Sequence, residues 1–416
     1  MTQTSPAENA LSVAGAEWFR RSGVQAMFAA LNRDGHEARI VGGAVRNTVL
    51  GLPVGDIDFA ATALPKEIMR FAGNAGLKSV PTGIDHGTIT VVVEGVPYEV
   101  TTLRTDVETH GRHATVAFTR DWAADAARRD FTINALYAAA DGHIADPLGG
   151  LGDLQARRVR FIKSARDRIR EDYLRILRFF RFTAEYGSGP PDPEGLAACI
   201  TERAGLARLS PERIRAEMLR ILVSREPMVA IAPMTETGLL TSLLGGVTYV
   251  GHFARAAAIE AGLGLPPAPI RRLAALAVRI EEDAARLTAR LRLSNSEAAR
   301  ITAMAMLERA LGPTMEGLRR KEALYRLGRP TFEDRVVIGW ARSGDTVDAE
   351  DWQRLYRLPD FWALPAFPVK GQDLLARGVA PGPRVGALLR ELEAAWIASN
   401  FTISREGLLR DLPDRS

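Results

Sequence analysis

Apolar and polar positions follow two different periods along this chain, and the change between them divides it. From about residue 24 to residue 140, short runs with a period near two are interleaved with stretches whose apolar residues recur every three or four positions. The first kind predicts strands at 38–42, 57–60, 88–94, 98–103 and 133–138, all rich in Val, Ile and Thr. The second predicts helices at 24–32, 44–50 and 65–75. Gly95-Val96-Pro97 joins two of the strands and reads as a hairpin, so antiparallel pairing is expected. Residues 1–22 read as a loose leader. Asp146-Pro147-Leu148-Gly149-Gly150 is turn chemistry and closes the mixed segment. Beyond about Asp167 the strand pattern stops. Arginine-rich amphipathic helices follow, broken at 188–192, 262–269 and 344–349. The expectation is an α+β fold: a mixed-sheet head followed by an all-helical remainder.

Composition narrows the class only a little. Hydrophobic residues make up 46% of the 416, enough for a sizeable core. No run of about 18 apolar residues occurs, so no membrane span is expected. Residues 1–12 lack the basic-then-apolar pattern of a signal peptide. The single cysteine, Cys199, permits no intrachain disulfide and fits a reducing cytoplasm. Six scattered histidines beside one cysteine give zinc chemistry no support. The formal charge is +4, yet arginine outnumbers lysine 49 to 5. Guanidinium forks grip phosphate and stack on bases, but a GC-rich genome produces the same bias, so both explanations stay open.

The sharpest local feature is Gly42-Gly43-Ala44-Val45-Arg46 followed by Gly55-Asp56-Ile57-Asp58-Phe59. On a strand, Asp56 and Asp58 point the same way. Two carboxylates held together repel unless cations neutralise them, and Mg2+ commonly shares carboxylates with substrate phosphates. Glu99, on a neighbouring predicted strand, is the candidate third carboxylate. Gly42 and Gly43 lie between a strand and a helix, where backbone N–H groups can approach phosphate, and Arg46 can add charge-assisted hydrogen bonds. An isolated Asp-x-Asp is as readily a solvated strand end; the glycine pair upstream favours nucleotidyl transfer.

Longer stretches carry a family resemblance. IVGGAVRNTVLGLPVGDIDFAAT (40–62) resembles the first motif of class II tRNA nucleotidyltransferases and bacterial poly(A) polymerases, within the polymerase β-like superfamily. RRDFTINAL (128–136) resembles their second motif and DPLGGLGDL (146–154) their hinge segment. EDYLRILRFFRF (171–182) is similar to their base-recognition motif, and LSPERIRAEMLRIL (209–222) to the neck motif that follows. Residues 369–389 match the C-terminal pattern more loosely, through Lys370, Gly371, Asp373 and the turn at Pro381-Gly382-Pro383. One departure is Asn47, where the family usually has Asp.

The resemblance implies a nucleotidyltransferase head over 23–150, a base-recognition neck over 151–222, and a tRNA-binding body and tail over 223–416. It implies template-independent addition of CCA to tRNA from CTP and ATP. The tRNA 3′-hydroxyl attacks the α-phosphate and pyrophosphate leaves, with two Mg2+ ions held by Asp56 and Asp58. Arg128, Arg129, Asp130 and Asn134 would bind ribose and triphosphate. Glu171, Asp172, Arg175 and Arg178 would serve the base. On the helix expected over 171–182, Asp172 and Arg175 are three apart and share a face. An acceptor beside a donor matches the edges of cytosine and adenine and mismatches uracil and guanine. Glu171 would hold Arg175 in place. RTDVETHGRHATV (104–116), a polar stretch with no strong helical pattern, falls where the family has a flexible loop linked to A addition. His86 reads as structural or peripheral. A poly(A) polymerase would be expected to carry a more basic insert after the Asp-x-Asp strand, and 63–88 contains none. A partial CC- or A-adding enzyme and an inactive RNA-binding module are also compatible with parts of the pattern. The oligomeric state stays open.

Overall fold

The computed structural model describes residues 11–110, 113–305 and 311–410, with the side chains of 106–116 excluded. The chain divides into two compact units between Leu243 and Leu244.

The first unit is built on a seven-stranded sheet: β1 (Ala38–Val41), β2 (Asp58–Ala61), β3 (Lys78–Gly83), β4 (Thr88–Val93), β5 (Val96–Thr102), β8 (Tyr137–Ala138) and β9 (Ile144–Ala145). The order is β3-β4-β5-β2-β1-β8-β9, and only β2 and β5 run parallel, so the sheet is mixed as expected. β6 (Arg104–His110) and β7 (His113–Phe118) form a separate antiparallel hairpin. Helix α1 (Ser22–Leu31) precedes the first strand, and α2 (Gly43–Val49), α3 (Pro65–Asn74) and α4 (Trp122–Ala127) connect later ones. In β4, Ile89, Val91 and Val93 are buried while their neighbours are half-exposed, the alternation that made the strand legible. Phe59 of β2 meets Phe28 of α1 edge-on at 5.2 Å and Tyr98 of β5 at 6.1 Å, so helix and sheet share one core.

Five details depart from the sequence reading. Residues 11–21 are no loose leader: Val13, Trp18 and Phe19 are buried, Ser12 bridges His143, and Trp18 Nε1 donates to Thr48 Oγ1 at 2.9 Å. The β4–β5 turn sits at Glu94-Gly95, both with positive φ (51° and 81°), while Pro97 pairs with Val92 inside the ladder. The expected strand 133–138 survives only at Tyr137–Ala138, because Thr132–Asn134 forms a 3-10 turn. The stretch 104–116 contributes to the β6–β7 hairpin; its tip, Gly111 and Arg112, lies outside the described residues. The helix expected across 171–182 is broken. α5 (Gly150–Gln155) and α6 (Ala165–Glu171) lead to Asp172, which is extended (φ −153°, ψ 107°), and α7 (Leu174–Tyr186) starts afresh. The Asp172 carboxylate accepts from the Leu174 N–H at 3.1 Å, a side-chain bond that competes with helix continuation.

The remainder of the described chain is helical. α8 (Pro193–Thr201), α9 (Pro211–Leu222), α10 (Met228–Glu236) and α11 (Leu239–Leu244) complete the run to the division. The second unit contains α12 (Val250–Gly262), α13 (Pro269–Ala277), α14 (Glu281–Leu291), α15 (Asn295–Ala305), α16 (Gly317–Ser343), α17 (Glu350–Tyr356), α18 (Leu358–Phe361), α19 (Gly371–Ala376), α20 (Pro383–Ala398) and α21 (Arg405–Leu409). The gaps after α7, α12 and α16 coincide with the breaks read from Gly, Pro and Ser. α16 kinks at Gly328 (φ 70°), two residues before Pro330. No helix among the described residues is long and apolar enough to cross a membrane.

Candidate active site

The sheet register sets the carboxylates. Val41 pairs with Asp58, and Asp58 with Glu99, so one lateral row crosses β1, β2 and β5. Ile57 and Phe59 are buried while Asp56 and Asp58 are exposed, as strand alternation requires. Asp56 itself lies just ahead of β2. Desolvation in the cleft, then the neighbouring Glu99 and Asp56 carboxylates, raise the Asp58 pKa, with Arg129 opposing. Beyond Val41 the chain turns through Gly42 into α2. At Gly42 φ is 72° and ψ −112°, a backbone state that strains any side chain. Gly43 is under no such constraint.

Around this row opens a cleft of about 550 Å³, lined by twelve of the residues singled out above: Gly42, Gly43, Arg46, Asp58, Glu99, Arg128, Arg129, Asp130, Asn134, Asp172, Arg175 and Arg178. Asp56 and Glu171 stand outside that lining. The arginines are held from behind. Asp125, buried on α4, accepts from Arg128 Nε at 2.8 Å, Arg129 Nη2 at 3.1 Å and the Tyr137 hydroxyl at 2.8 Å. Burial works to raise the Asp125 pKa, but Arg129, Arg128 and these hydrogen bonds outweigh it and hold the carboxyl below its ordinary range. A second chain starts at Arg46, whose Nη1 donates to Asn134 Oδ1 at 2.5 Å. Asn134 Nδ2 donates to Asp130 at 2.9 Å, and Asp130 accepts from Arg178 Nε at 2.8 Å. Burial opposes ionisation of Asp130, yet Arg178 and the Asn134 hydrogen bond depress its pKa. Arg46 also lies 3.9 Å from the Tyr186 ring centroid and donates to its hydroxyl at 2.7 Å. Asn47 accepts from Arg46 Nη2 at 3.0 Å and donates its amide to the Pro53 carbonyl at 2.8 Å, a bond that an aspartate could not make.

Asp172 and Arg175 both reach the cleft, but not as a pair on one helix face. Arg175 Nη1 donates to Glu171 Oε2 at 2.5 Å and to the Arg168 carbonyl at 2.7 Å. Asp172 Oδ2 accepts from Arg213 Nη2 of α9 at 2.6 Å. The break in the helix explains this: each side chain is anchored by a different neighbour. Arg213 and Asp125 are the residues sequence reading missed. Asp125 stands three residues before the assigned Arg128, the one signal that could have found it, whereas Arg213 lies within the quoted neck motif with its partner Asp172 41 residues away and no signal in the sequence. Arg104, Thr101 and Phe182 also line the cleft. His86 lies in the 3-10 turn before β4, outside the lining.

Known proteins fit this arrangement. The Poly A polymerase head domain matches residues 38–160, and the probable RNA and SrmB-binding site of polymerase A matches residues 191–249. The Homo sapiens mitochondrial CCA tRNA nucleotidyltransferase 1 is 34% identical over 389 residues, covering 91% of this chain and 86% of that protein. The CCA-adding enzyme of Limosilactobacillus fermentum is 33% identical over 388 residues, covering 90% and 92%. The crystal structure of the Bacillus stearothermophilus CCA-adding enzyme in complex with CTP superposes with a TM-score of 0.71 at 27% identity, covering 91% of this chain and 93% of that one. Relatives this similar over this much of both chains place the protein: it belongs to the family of CCA-adding tRNA nucleotidyltransferases.

Proposed function

We propose that the protein adds CCA to the 3′ end of tRNA from CTP and ATP, releasing pyrophosphate. The observation that carries this reading is the convergence, in one cleft, of a carboxylate row with arginines and with an Asp–Arg set suited to reading bases. The triphosphate would lie against Arg128 and Arg129, whose guanidiniums Asp125 aims, and near the Gly42–Gly43 backbone. Arg46, Asn134, Asp130 and Arg178 form one hydrogen-bonded chain that would fix the ribose end. Phosphoryl transfer asks for positioning and charge neutralisation more than covalent chemistry, and this donor set offers both.

The carboxylates fit a divalent cation. Asp58 is crowded by two like charges, and hard oxygen ligands suit Mg2+. Among the described residues no group of three His, Cys, Asp or Glu could hold an ion alone, so substrate phosphates would complete the shell. Asp56 and Asp58 would hold Mg2+, which when bound neutralises the triphosphate and makes the 3′-hydroxyl easier to deprotonate. Glu99 would orient that hydroxyl or share in the site.

For base choice, Asp172 would accept from the exocyclic amine of cytosine or adenine, and Arg175 would donate to N3 or N1. Arg213 and Glu171 would hold the two side chains still, a template made of protein. The head would span 23–150, the neck 151–222 and the body and tail 223–416, with the reducing cytoplasm as the compartment. The test is incorporation of labelled CTP and ATP into tRNA lacking CCA, with and without Mg2+. Incorporation should need Mg2+ and nearly vanish in folded Asp58→Ala; full activity in that variant would contradict the metal assignment.

A further inference from the structure

Arg46 is held differently from the other arginines of the cleft. Arg128, Arg129, Arg175, Arg178 and Arg213 each pair with a carboxylate. Arg46 is 6% exposed, yet among the described residues all its hydrogen-bond partners are neutral. Asn134 Oδ1 accepts from Nη1 at 2.5 Å. Asn47 Oδ1 accepts from Nε at 3.2 Å and from Nη2 at 3.0 Å, and the Tyr186 hydroxyl accepts from Nη2 at 2.7 Å. A guanidinium has five N–H donors, so one N–H on Nη1 remains for a ligand. Tyr186 is the last residue of α7 and falls between the two neck stretches that carry the resemblance. It is half-buried and stands behind Arg46, outside the lining of the cleft. Its ring centroid lies 3.9 Å from the guanidinium and 5.4 Å from the Phe182 ring.

A carboxylate partner would fix the guanidinium and cancel much of its charge. Neutral acceptors and an aromatic face fix it and leave the charge for an anionic ligand. Burial lowers the Arg46 pKa, with Tyr186 and then Asp130 opposing, and a guanidinium remains protonated all the same. α7 grips Arg46 at two points. One is Tyr186. The other is Arg178, about two turns earlier, acting through Asp130 and Asn134. We propose that Tyr186 is a positioning residue that aims Arg46 at the bound nucleotide while leaving its charge uncancelled. The proposal rests on the function proposed above. Tyr186 touches Arg46 and no base-reading residue, so its effect falls alike on CTP and ATP, unlike that of Arg175.

The test uses the full chain and Tyr186→Phe, which removes the hydroxyl acceptor and keeps the ring. Binding of CTP and of ATP, each measured by calorimetric titration with Mg2+ present, should weaken roughly three- to tenfold and to the same extent, with Tm close to wild type. KM for both nucleotides should rise in step, while KM for tRNA does not. A double-variant cycle separates positioning from general packing: in an Arg46→Ala background, Tyr186→Phe should cost no further nucleotide affinity. Wild-type affinity in Tyr186→Phe would overturn the proposal, and so would losses that simply add in the double variant. A loss confined to one nucleotide would also overturn it and place Tyr186 in base choice. Should Tyr186→Phe lower Tm, the cycle in nucleotide affinity still decides. Wild-type protein that binds both nucleotides but adds neither to tRNA would instead contradict the enzymatic reading and leave this binding readout intact.

Discussion

Arg175 carries the sharpest consequence of a single side chain. It is fixed by Glu171 and by the Arg168 carbonyl, so in the proposed function it would offer the base a preset donor. Removing it in Arg175→Ala forfeits a charge-assisted hydrogen bond, about 1.5–3 kcal/mol. Discrimination among the four nucleotides should relax roughly ten- to hundredfold. C and A incorporation should both fall while U or G becomes relatively more visible, in single-turnover addition with tRNA affinity measured alongside. Wild-type ratios in the variant would move base selection elsewhere in the neck. Asp125 makes a different prediction because its pKa is depressed when folded. The unfolded carboxyl, near 3.9, then binds protons more readily than the folded one. Its contribution is therefore present above about pH 4 and lost as the pH falls through the folded value. Asp125→Asn should flatten the acid limb of Tm against pH and raise KM for nucleotides; an acid limb identical to wild type would contradict the anchoring role. Most of these cleft residues were legible because they lie within contiguous motifs. Asp125, outside those motifs, and Arg213, inside the neck motif, went unassigned, because a charge that works from behind another charge has no periodicity of its own.

Elements were legible where apolar periodicity was strong and obscured where side chains override it. β4, β5 and α3 stand close to where their patterns put them. β3 is largely exposed and polar (Lys78–Gly83), and β9 has two residues, too few for any period. The helix break at Asp172 arises from one carboxylate capturing the Leu174 N–H, which spacing alone could not reveal. The hinge segment shows why its glycines matter unequally. Asp146 accepts from the N–H groups of Gly150 and Leu151 at 2.8 Å each, capping α5, and Gly149 has φ 72°. A Cβ at Gly150 would lie 2.2 Å from the Thr132 carbonyl oxygen, which is backbone and cannot swing away. Gly150→Ala should push the 3-10 turn out of place, destabilising by about 1–3 kcal/mol or more. It should lower Tm and nucleotide affinity together. Gly152→Ala, where nothing lies within 4 Å, is the control. Equal Tm values for the two variants would contradict this packing.

At the scale of the whole molecule, one chain combines the candidate cleft with a helical second unit rich in arginine. The α+β class and the sequence order of its parts were legible from the change of period near residue 140. The division at Leu243 was not, because both sides of it are helical and no change of pattern marks it. The claim that unites the parts is that a single cleft, without a nucleic-acid template, writes a defined three-nucleotide sequence and stops. It is tested most directly by a sequencing gel of tRNA lacking its last three nucleotides, incubated with each nucleoside triphosphate alone and with CTP and ATP together. CTP alone should extend the tRNA by two nucleotides, CTP with ATP should finish at CCA, and UTP or GTP alone should add nothing. A lengthening ladder with ATP alone would contradict the account and identify a polyadenylating enzyme instead.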